Sequence, residues 1–541
     1  MSVSYRPSEE VDFVVIGAGA AGGVMAKELS SAGLRVVVLE QGPYLKAKDF
    51  THDEVDVIFH GALTNGETRQ PQTFRKKESE VAKPHMTAIY ARLVGGGSVH
   101  FTANFWRFHP EDFHERSTLG AIPGASLADW PIMYEELEPF YTKAEWELGV
   151  SGLAGSNPFE GLRSKPYPLP PMPVKSSGVL FERGARKLGL HPFPAPVAVL
   201  SKPYQGRGAC THCGYCEAFG CEMNAKSSTL AALIPLAEKT GKCEIRAESY
   251  VQKIETDRKG RANAVIYFDR AGKSIRQRTK AVVLCANGAE SPRLLLMSGI
   301  ANSSGLVGRH LMFDIGAYAM GLFEHEVNEY KSIVVTRVVH DFYRSDPKRG
   351  FYGGGGLDSR MDFTPASFAG FALPSNGPQW GSEWKRAIRE SFTHTAGTMA
   401  HCSCLSREQN SVSLDPTHKD AWGLPAIRVT FESHPDDLKN RVFQLERQME
   451  ILDAAGARKR WNLPLDDITD SVHLMGTCRM GNDPRTSVVD RWNRSHDVRN
   501  LFVVDGSSLV TCGRQQPTET IQALAYRAAD YIAKAAPRGE I

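Results

Sequence analysis

Three short stretches bring together residue types that can do chemistry. In "DSVHLMGTCRMG" (470–481), His473 stands beside a turn carrying Gly476 and Gly481. An imidazole titrates near neutrality, and such a turn exposes backbone amides and brings a side chain against something flat or small. Taken alone, one histidine reads more readily as a structural residue than as a base. In the second stretch, Gly17-Ala18-Gly19-Ala20-Ala21-Gly22 fits G-x-G-x-x-G. The glycines of that pattern allow a tight turn, close approach of backbone to a pyrophosphate, and close helix–strand packing. In the third, "CTHCGYCEAFGC" (210–221), Cys210, Cys213, Cys216 and Cys221 follow C-x2-C-x2-C-x4-C. Thiols so closely spaced can hold an iron–sulfur cluster or zinc. Cys478, inside the histidine turn, has no base at a fixed spacing and reads as packing.

Each of these has to be held by regular structure, and the flanking patterns supply it. "VDFVVIGAGAAGGVMAKELSSAGLRVVVLEQG" (11–42) predicts strand, glycine turn, helix and strand. The apolar, β-branched runs Val11–Ile16 and Val36–Leu39 are of the kind buried in a parallel sheet, and Gly33 is placed to end the helix. Glu40 closes the second strand, where a carboxylate binds ribose hydroxyls. "AVVLCANGAESPRLLLMSG" (281–299) repeats the strand–turn–helix pattern. "NLFVVDGSSLV" (500–510) is followed by a predicted helix from Pro517 to about Ala535. Two further turns, "RLVGGGSVHFTANFWRF" (92–108) and "VVDGSS", bring distant backbone towards the same cofactor. That is the behaviour of a large flavin-adenine fold rather than a small NAD domain. Residues 158–206 are proline-rich and predicted to be loop-like. Residues 312–470 alternate in strand fashion ("SVSLD", "AIRVTFE") and contain "GFYGGGG", which predicts a separate antiparallel, substrate-facing sheet.

The composition narrows the class. At 541 residues the chain exceeds one ordinary core. Lys plus Arg at 64 against Asp plus Glu at 61 leaves +3, so there is no electrostatic case for nucleic acid. No run approaches the ~18 consecutive apolar residues of a membrane helix. The N-terminal residues lack a charged-then-apolar leader, which predicts a cytoplasmic protein, or one exported with a signal-bearing partner. The expected class is α/β. The dinucleotide-binding part should comprise 1–60, 91–110 (a flavin-contacting segment), 206–312 and 469–541. A connection or lid is expected over 61–90, and a discontinuous substrate domain over 111–205 and 313–468.

Five stretches in this order resemble the glucose–methanol–choline (GMC) oxidoreductases: the glycine fingerprint, "LVGGGSVHFTAN", "GAESPRLLLMSG" with "LVGRHLM" (306–312), "HLMGTCRMG", and "VVDGSSLV…PTETIQALAYRAAD". Within the family the pattern is most similar to bacterial sugar, glucoside and polyol dehydrogenases, and over 94–102 to pyranose oxidase. The resemblance implies an FAD-dependent oxidation of a secondary or anomeric hydroxyl of a sugar, glycoside or polyol, in which hydride leaves for flavin N5 and His473 takes the hydroxyl proton. Electrons would pass to a quinone or cytochrome acceptor, and a small partner subunit is compatible with that route. A sugar oxidase using oxygen and a catalytically silent flavin-holding subunit are the alternatives.

The family's second catalytic position, normally Asn or His before Pro-Thr, is Gln516 here. An amide orients but cannot act as a base. The resemblance further implies cofactor contacts at Gly17, Gly19, Ala20, Ala21, Gly22, Glu40, Gly95, Gly96, Ser98, His100, Asn104, Val251, Asp505, Gly506, Pro517 and Thr518. His100 matches a position of covalent flavin attachment in some members. A three-iron cluster in some relatives would make Cys213, Cys216 and Cys221 ligands, with Cys210 spare.

Overall fold

A computed structural model describes residues 3–541. The fingerprint strand forms as β1 (Val11–Ile16), followed by α1 (Ala20–Ser31) and β2 (Val36–Leu39). The two strands pair in parallel from Phe13↔Val36 to Ile16↔Leu39, and β3 (Cys243–Arg246) extends the sheet beyond β2. Next come β4 (Tyr250–Thr256), β5 (Ala262–Phe268) and β6 (Ser274–Leu284), an antiparallel meander.

The sequence of β6, SIRQRTKAVVL, shows why it serves two partners. Its first half alternates exposed polar residues with inward ones and pairs antiparallel with β5. Its second half, fully buried from Ala281, pairs in parallel with β1 on one side and with Leu501–Val503 on the other. α2 (Asn287–Ser298) follows. A Cβ on its Gly288 would lie 2.1 Å from the Leu474 carbonyl, so only glycine allows the histidine turn to press on this helix.

The second sheet consists of β7 (Ile315–Leu322), β8 (Val335–Val339), β9 (Gly355–Arg360), β10 (Thr395–Cys402) and β11 (Lys459–Asn462), in the order β11-β7-β10-β9-β8. Phe193–Pro194 adds an edge, and every pairing is antiparallel. α3 (Pro435–Ala455) packs on β7 and β10. β9 and β10 are buried along almost their whole length although they carry Asp358, Arg360 and His401. Charged groups in such strands need partners inside the protein.

Two local expectations are corrected. "SVSLD" and "AIRVTFE" do not join this sheet. They form a hairpin, Ser411–Lys419 with Pro425–Thr430, which is extended in parallel by Gln72–Arg75. Alternation marks a strand but does not choose its partner. The proline-rich region is not loop throughout, because Ser176–Lys187 is a helix whose Leu180, Phe181, Gly184 and Ala185 face inward at helical spacing. The C-terminal helix, α4 (Thr518–Ala535), starts one residue after the predicted position, with Pro517 as its N-cap. It packs on α1 and on the helix Tyr134–Leu148. No helix among the described residues is long and apolar enough to cross a membrane.

Candidate active site

A cavity of about 650 Å3 opens at the carboxyl ends of the parallel strands and runs to the antiparallel sheet. Ile16, Leu39, Cys285 and Asp505 bring the strand ends to it. Tyr318, Arg360 and Met399 bring β7, β9 and β10. Ligands of open α/β sheets bind at this edge.

The nucleotide half is made of main chain. Gly19 caps α1 without a side-chain hydrogen bond, so the amides of the first turn stay available to an anion. A Cβ on Gly19 would meet nothing nearer than Gly96 Cα at 3.7 Å, and one on Gly97 would meet nothing within 4 Å, so both face open space. Gly17 and Gly22 instead hold the turn: a Cβ on Gly17 would lie 2.5 Å from Cys285 O, and one on Gly22 would lie 1.9 Å from Gly17 O. Glu40 lies on the wall, its oxygens accepting from the Ala18 amide (3.0 Å) and the Gly42 amide (2.9 Å). Burial pushes its carboxyl up to about 7 against those donors. An open anion-binding helix end, two bare glycine faces and a wall carboxylate fit a dinucleotide such as FAD.

Most of the expected contacts line this cavity: Gly17, Gly19, Ala20, Ala21, Glu40, Gly96, Ser98, His100, Val251, Asp505, Gly506, Pro517 and Thr518. Gly22, Gly95 and Asn104 do not. Gly95, at φ +98°, shapes the second turn, and Asn104 is buried away from the wall with both amide atoms unpartnered. Asp505 is used within the chain. Its oxygens accept from Ser291 Oγ and Ser507 Oγ (2.5 Å each) and from the Asn287 and Ser507 amides (3.1 and 2.8 Å). It therefore ties α2 to the "VVDGSS" turn and places the backbone of Gly506. His100 lies on the wall, and its Nε2 is buried without a hydrogen-bond partner among the described residues. Burial and the Lys226 charge pull this imidazole down to about 4.

The other half is made of side chains. His473 is set by a turn in which Gly476, at φ +86°, sits so close to His310 that a Cβ would lie 2.3 Å from its carbonyl. His473 Nδ1 lies 3.0 Å from Asp314 Oδ2. A carboxylate there keeps the proton on Nδ1 and leaves Nε2 as the acceptor on the cavity side. The same Asp314 oxygen lies 3.0 Å from Nδ1 of His401, whose Nε2 lies 3.1 Å from Asp358 Oδ2. Arg360 Nη2 donates to Asp358 at 2.7 Å.

A carboxylate at each nitrogen favours the protonated form of His401. Burial pulls its pKa down, but Asp314 and Asp358 outweigh that and raise it. Burial would raise Asp314, yet the His401 charge and the two histidine hydrogen bonds hold it at about 2. The Gln516 side-chain amide lies against that ring, its Nε2 3.2 Å from both nitrogens of His401, while it lines the cavity.

Sequence motifs do not single out Asp314, His401, Asp358 or Arg360. A signal is present nonetheless for Asp314 and His401, ionisable residues inside the otherwise apolar or small-residue runs "LMFDIGA" and "TMAHCSC".

The metal expectation is corrected. Among the described residues no group of three or more His, Cys, Asp or Glu side chains is placed to hold a metal ion. Cys213 is exposed and Cys216 buried, with its thiol pushed up to about 12 by burial. The segment folds around a different centre, the ammonium of Lys226, which donates to the carbonyls of Phe101, Cys216 and Phe219. Cys478 is buried, as packing requires.

Comparison with known proteins adds the family. Residues 11–315 and 406–525 match two models, each described as GMC oxidoreductase. The chain is 33% identical to a 2-methyl-1,2-propanediol dehydrogenase of Mycolicibacterium austroafricanum, over 97% of this chain and 96% of that one. It is 31% identical to a gluconate 2-dehydrogenase flavoprotein of Pantoea cypripedii, over 97% and 94%. Among solved structures, a pyridoxine 4-oxidase from Mesorbium loti superposes with a TM-score of 0.66 at 18% identity, covering 96% of this chain and 99% of that one.

Proposed function

The chain belongs to the GMC oxidoreductase family, FAD-dependent enzymes acting on CH–OH groups, and from that premise we propose that it dehydrogenates a sugar, glycoside or polyol with His473 as the base. The observation that carries this reading is His473, oriented by Asp314, on the same cavity as the dinucleotide cradle. Converting a carbinol to a carbonyl removes a proton from oxygen and a hydride from carbon. His473 Nε2 takes the proton, and the Asp314 carboxylate stabilises the imidazolium that results. FAD, when bound, supplies the hydride acceptor. Gln516 holds the hydroxyl by hydrogen bonding and cannot compete for its proton. The amides at the start of α4 and α1 offer positive dipole ends to the cofactor.

The two curated relatives named above are dehydrogenases, of a diol and of gluconate, which favours a quinone or cytochrome-type acceptor, while the oxidase shares only the fold at 18% identity. His100 stands on the cavity wall, and this reading takes FAD to be held without a covalent link to it. Acid denaturation then releases all the flavin.

The deciding experiment is the visible spectrum of holoenzyme under argon, titrated with sugars, glycosides and polyols. Bleaching by one class in the wild type, lost in His473→Ala with flavin content unchanged, is the expected result. Equal bleaching in both proteins would remove His473 from the chemistry.

A further inference from the structure

The cysteine-bearing segment takes no part in the reaction described above, yet it is fixed tightly against the cavity. Lys226 gathers the Phe101, Cys216 and Phe219 carbonyls at 3.0, 2.5 and 2.7 Å, and the Ala218 amide donates to His100 O at 2.8 Å. Ala218 itself is held at φ +67°, a conformation that residues other than glycine rarely adopt and that needs support from its surroundings. These contacts grip the chain on both sides of Glu217. Backbone, not a side-chain partner, therefore sets where Glu217 points.

It points to the cavity wall, beside Arg360 and Asp362. Neither of its carboxylate oxygens has a hydrogen-bond partner among the described residues; Oε2 is buried, and Oε1 is the one left accessible to a ligand. Of the neighbours, Asp362 Oδ1 accepts from the Tyr318 hydroxyl at 2.9 Å and Arg360 Nη2 donates to Asp358 at 2.7 Å, while Arg360 Nη1 comes within 3.7 Å of Asp362 Oδ2; none donates to Glu217. A buried acceptor without a donor is unfavourable, so a fold that keeps one on a ligand cavity leaves the donor to the ligand.

We propose that Glu217 is a substrate-anchoring residue, binding a hydrogen-bond donor of the substrate remote from the reacting carbon, either a second hydroxyl or an ammonium group. This assigns a role to the 210–226 segment: it is the mount that carries Glu217 to the substrate end. The inference rests on the cavity being the site of alcohol oxidation. Burial, reinforced by the Asp362 charge and opposed by Arg360 and Lys226, pushes the Glu217 carboxyl up to about 7. Near neutrality it can thus meet either kind of donor, and above that it favours a cation.

The test measures binding without turnover. Holoenzyme carrying His473→Ala is titrated with sorbitol, 1-amino-1-deoxysorbitol and cyclohexanol, and Kd is read from the shift of the flavin bands. Adding Glu217→Ala is expected to weaken the tighter of the two polyols by about 10- to 100-fold, the range of a hydrogen bond to a charged group. Cyclohexanol, which has no second donor, should stay within about twofold. Glu217→Gln keeps an acceptor, so a hydroxyl anchor survives it within a few-fold, whereas an ammonium anchor loses at least about tenfold.

A structural role for Glu217 is read separately. Its folded pKa is raised above the unfolded value, so the stability it costs grows as pH rises from about 4.5 towards 7. Glu217→Gln should therefore keep its flavin and melt higher than wild type at pH 8, with a smaller gain at pH 5. Lost flavin or a lower melting temperature, equal weakening of all three ligands, unchanged polyol Kd, or no saturable shift with either polyol would each overturn the proposal. Glu217-dependent binding of a polyol that never bleaches the wild type would keep the anchor and reject the oxidation reading.

Discussion

At one end of the cavity the wall is main chain, and at the other it is charged side chain. Around Gly17–Gly22 and Gly95–Gly97 the ligand meets amides and bare Cα atoms, and the carboxylates present, Glu40 and Asp505, already accept from the chain itself. Around His473 the groups that matter come from four separate places: the histidine turn, the residue before β7, the middle of β9 and the end of β10. A main-chain cradle binds any dinucleotide of the right length, because a pyrophosphate is the same in all of them. A buried network of charges recognises little but orients strongly, since each member is held by the next and an unpaired one is severely penalised. In the proposed function the first end holds the cofactor, and the second sets the protonation state of one nitrogen.

That contrast can be broken or sharpened by substitution. The largest effect expected is on turnover with the cofactor retained: His473→Ala should lower kcat by about 10²- to 10⁴-fold with full flavin content. Flavin loss in that variant would show that the two ends are not separable. Gly17→Ala should do the reverse. Its Cβ would press 2.5 Å from the Cys285 carbonyl at φ +93°, so the turn must move. Purified protein should carry little or no flavin and lose about 2 kcal/mol or more in denaturant unfolding.

Asp314→Asn should lower kcat about 10- to 100-fold with KM nearly unchanged, because the ring of His473 loses its orienting charge rather than its contact with substrate. A matching rise in KM would instead place Asp314 on the substrate.

The smallest effect is in the pH dependence of stability. Asp314 is depressed to about 2. The stability it contributes is present above its unfolded value near 3.8 and is lost as pH falls through about 2. His401 is raised, so its contribution is full below about 6.5 and is lost as pH climbs through the higher folded value. The difference in melting temperature between wild type and Asp314→Asn should therefore be widest between about pH 4 and 6. It should narrow on both sides; a difference that keeps growing above about pH 7 would contradict an imidazolium at His401.

The nucleotide half is legible in the sequence because its signal is contiguous. Strand, glycine turn, helix and acid occupy residues 11–40, and each step follows from local sterics. β6 can also be read, from the change in its pattern at Ala281. The hairpin at 411–430 escapes such a reading, because alternation is the same in any sheet and leaves the partner open. Cysteine spacing suggests ligands but says nothing of direction: the loop turns around Lys226, sixteen residues after Cys210. In the sequence Gln516 stands as a gap in the acid–base machinery, and only the register of β10 shows a histidine behind it.

By itself, then, the sequence determined the glycine turn and the parallel strands that flank it, since glycine torsions, β-branched runs and helix starts act over a few residues. It pointed to the histidine only through the resemblance of several separated stretches to one family. Only the tertiary structure decided which charges surround that histidine, where Glu217 faces, and what the cysteine segment is folded for. Those depend on partners far along the chain, such as Asp314, 159 residues from His473, and Phe101, 125 residues from Lys226. A buried charge is stable only where the fold delivers its counterpart, and no local pattern records that delivery.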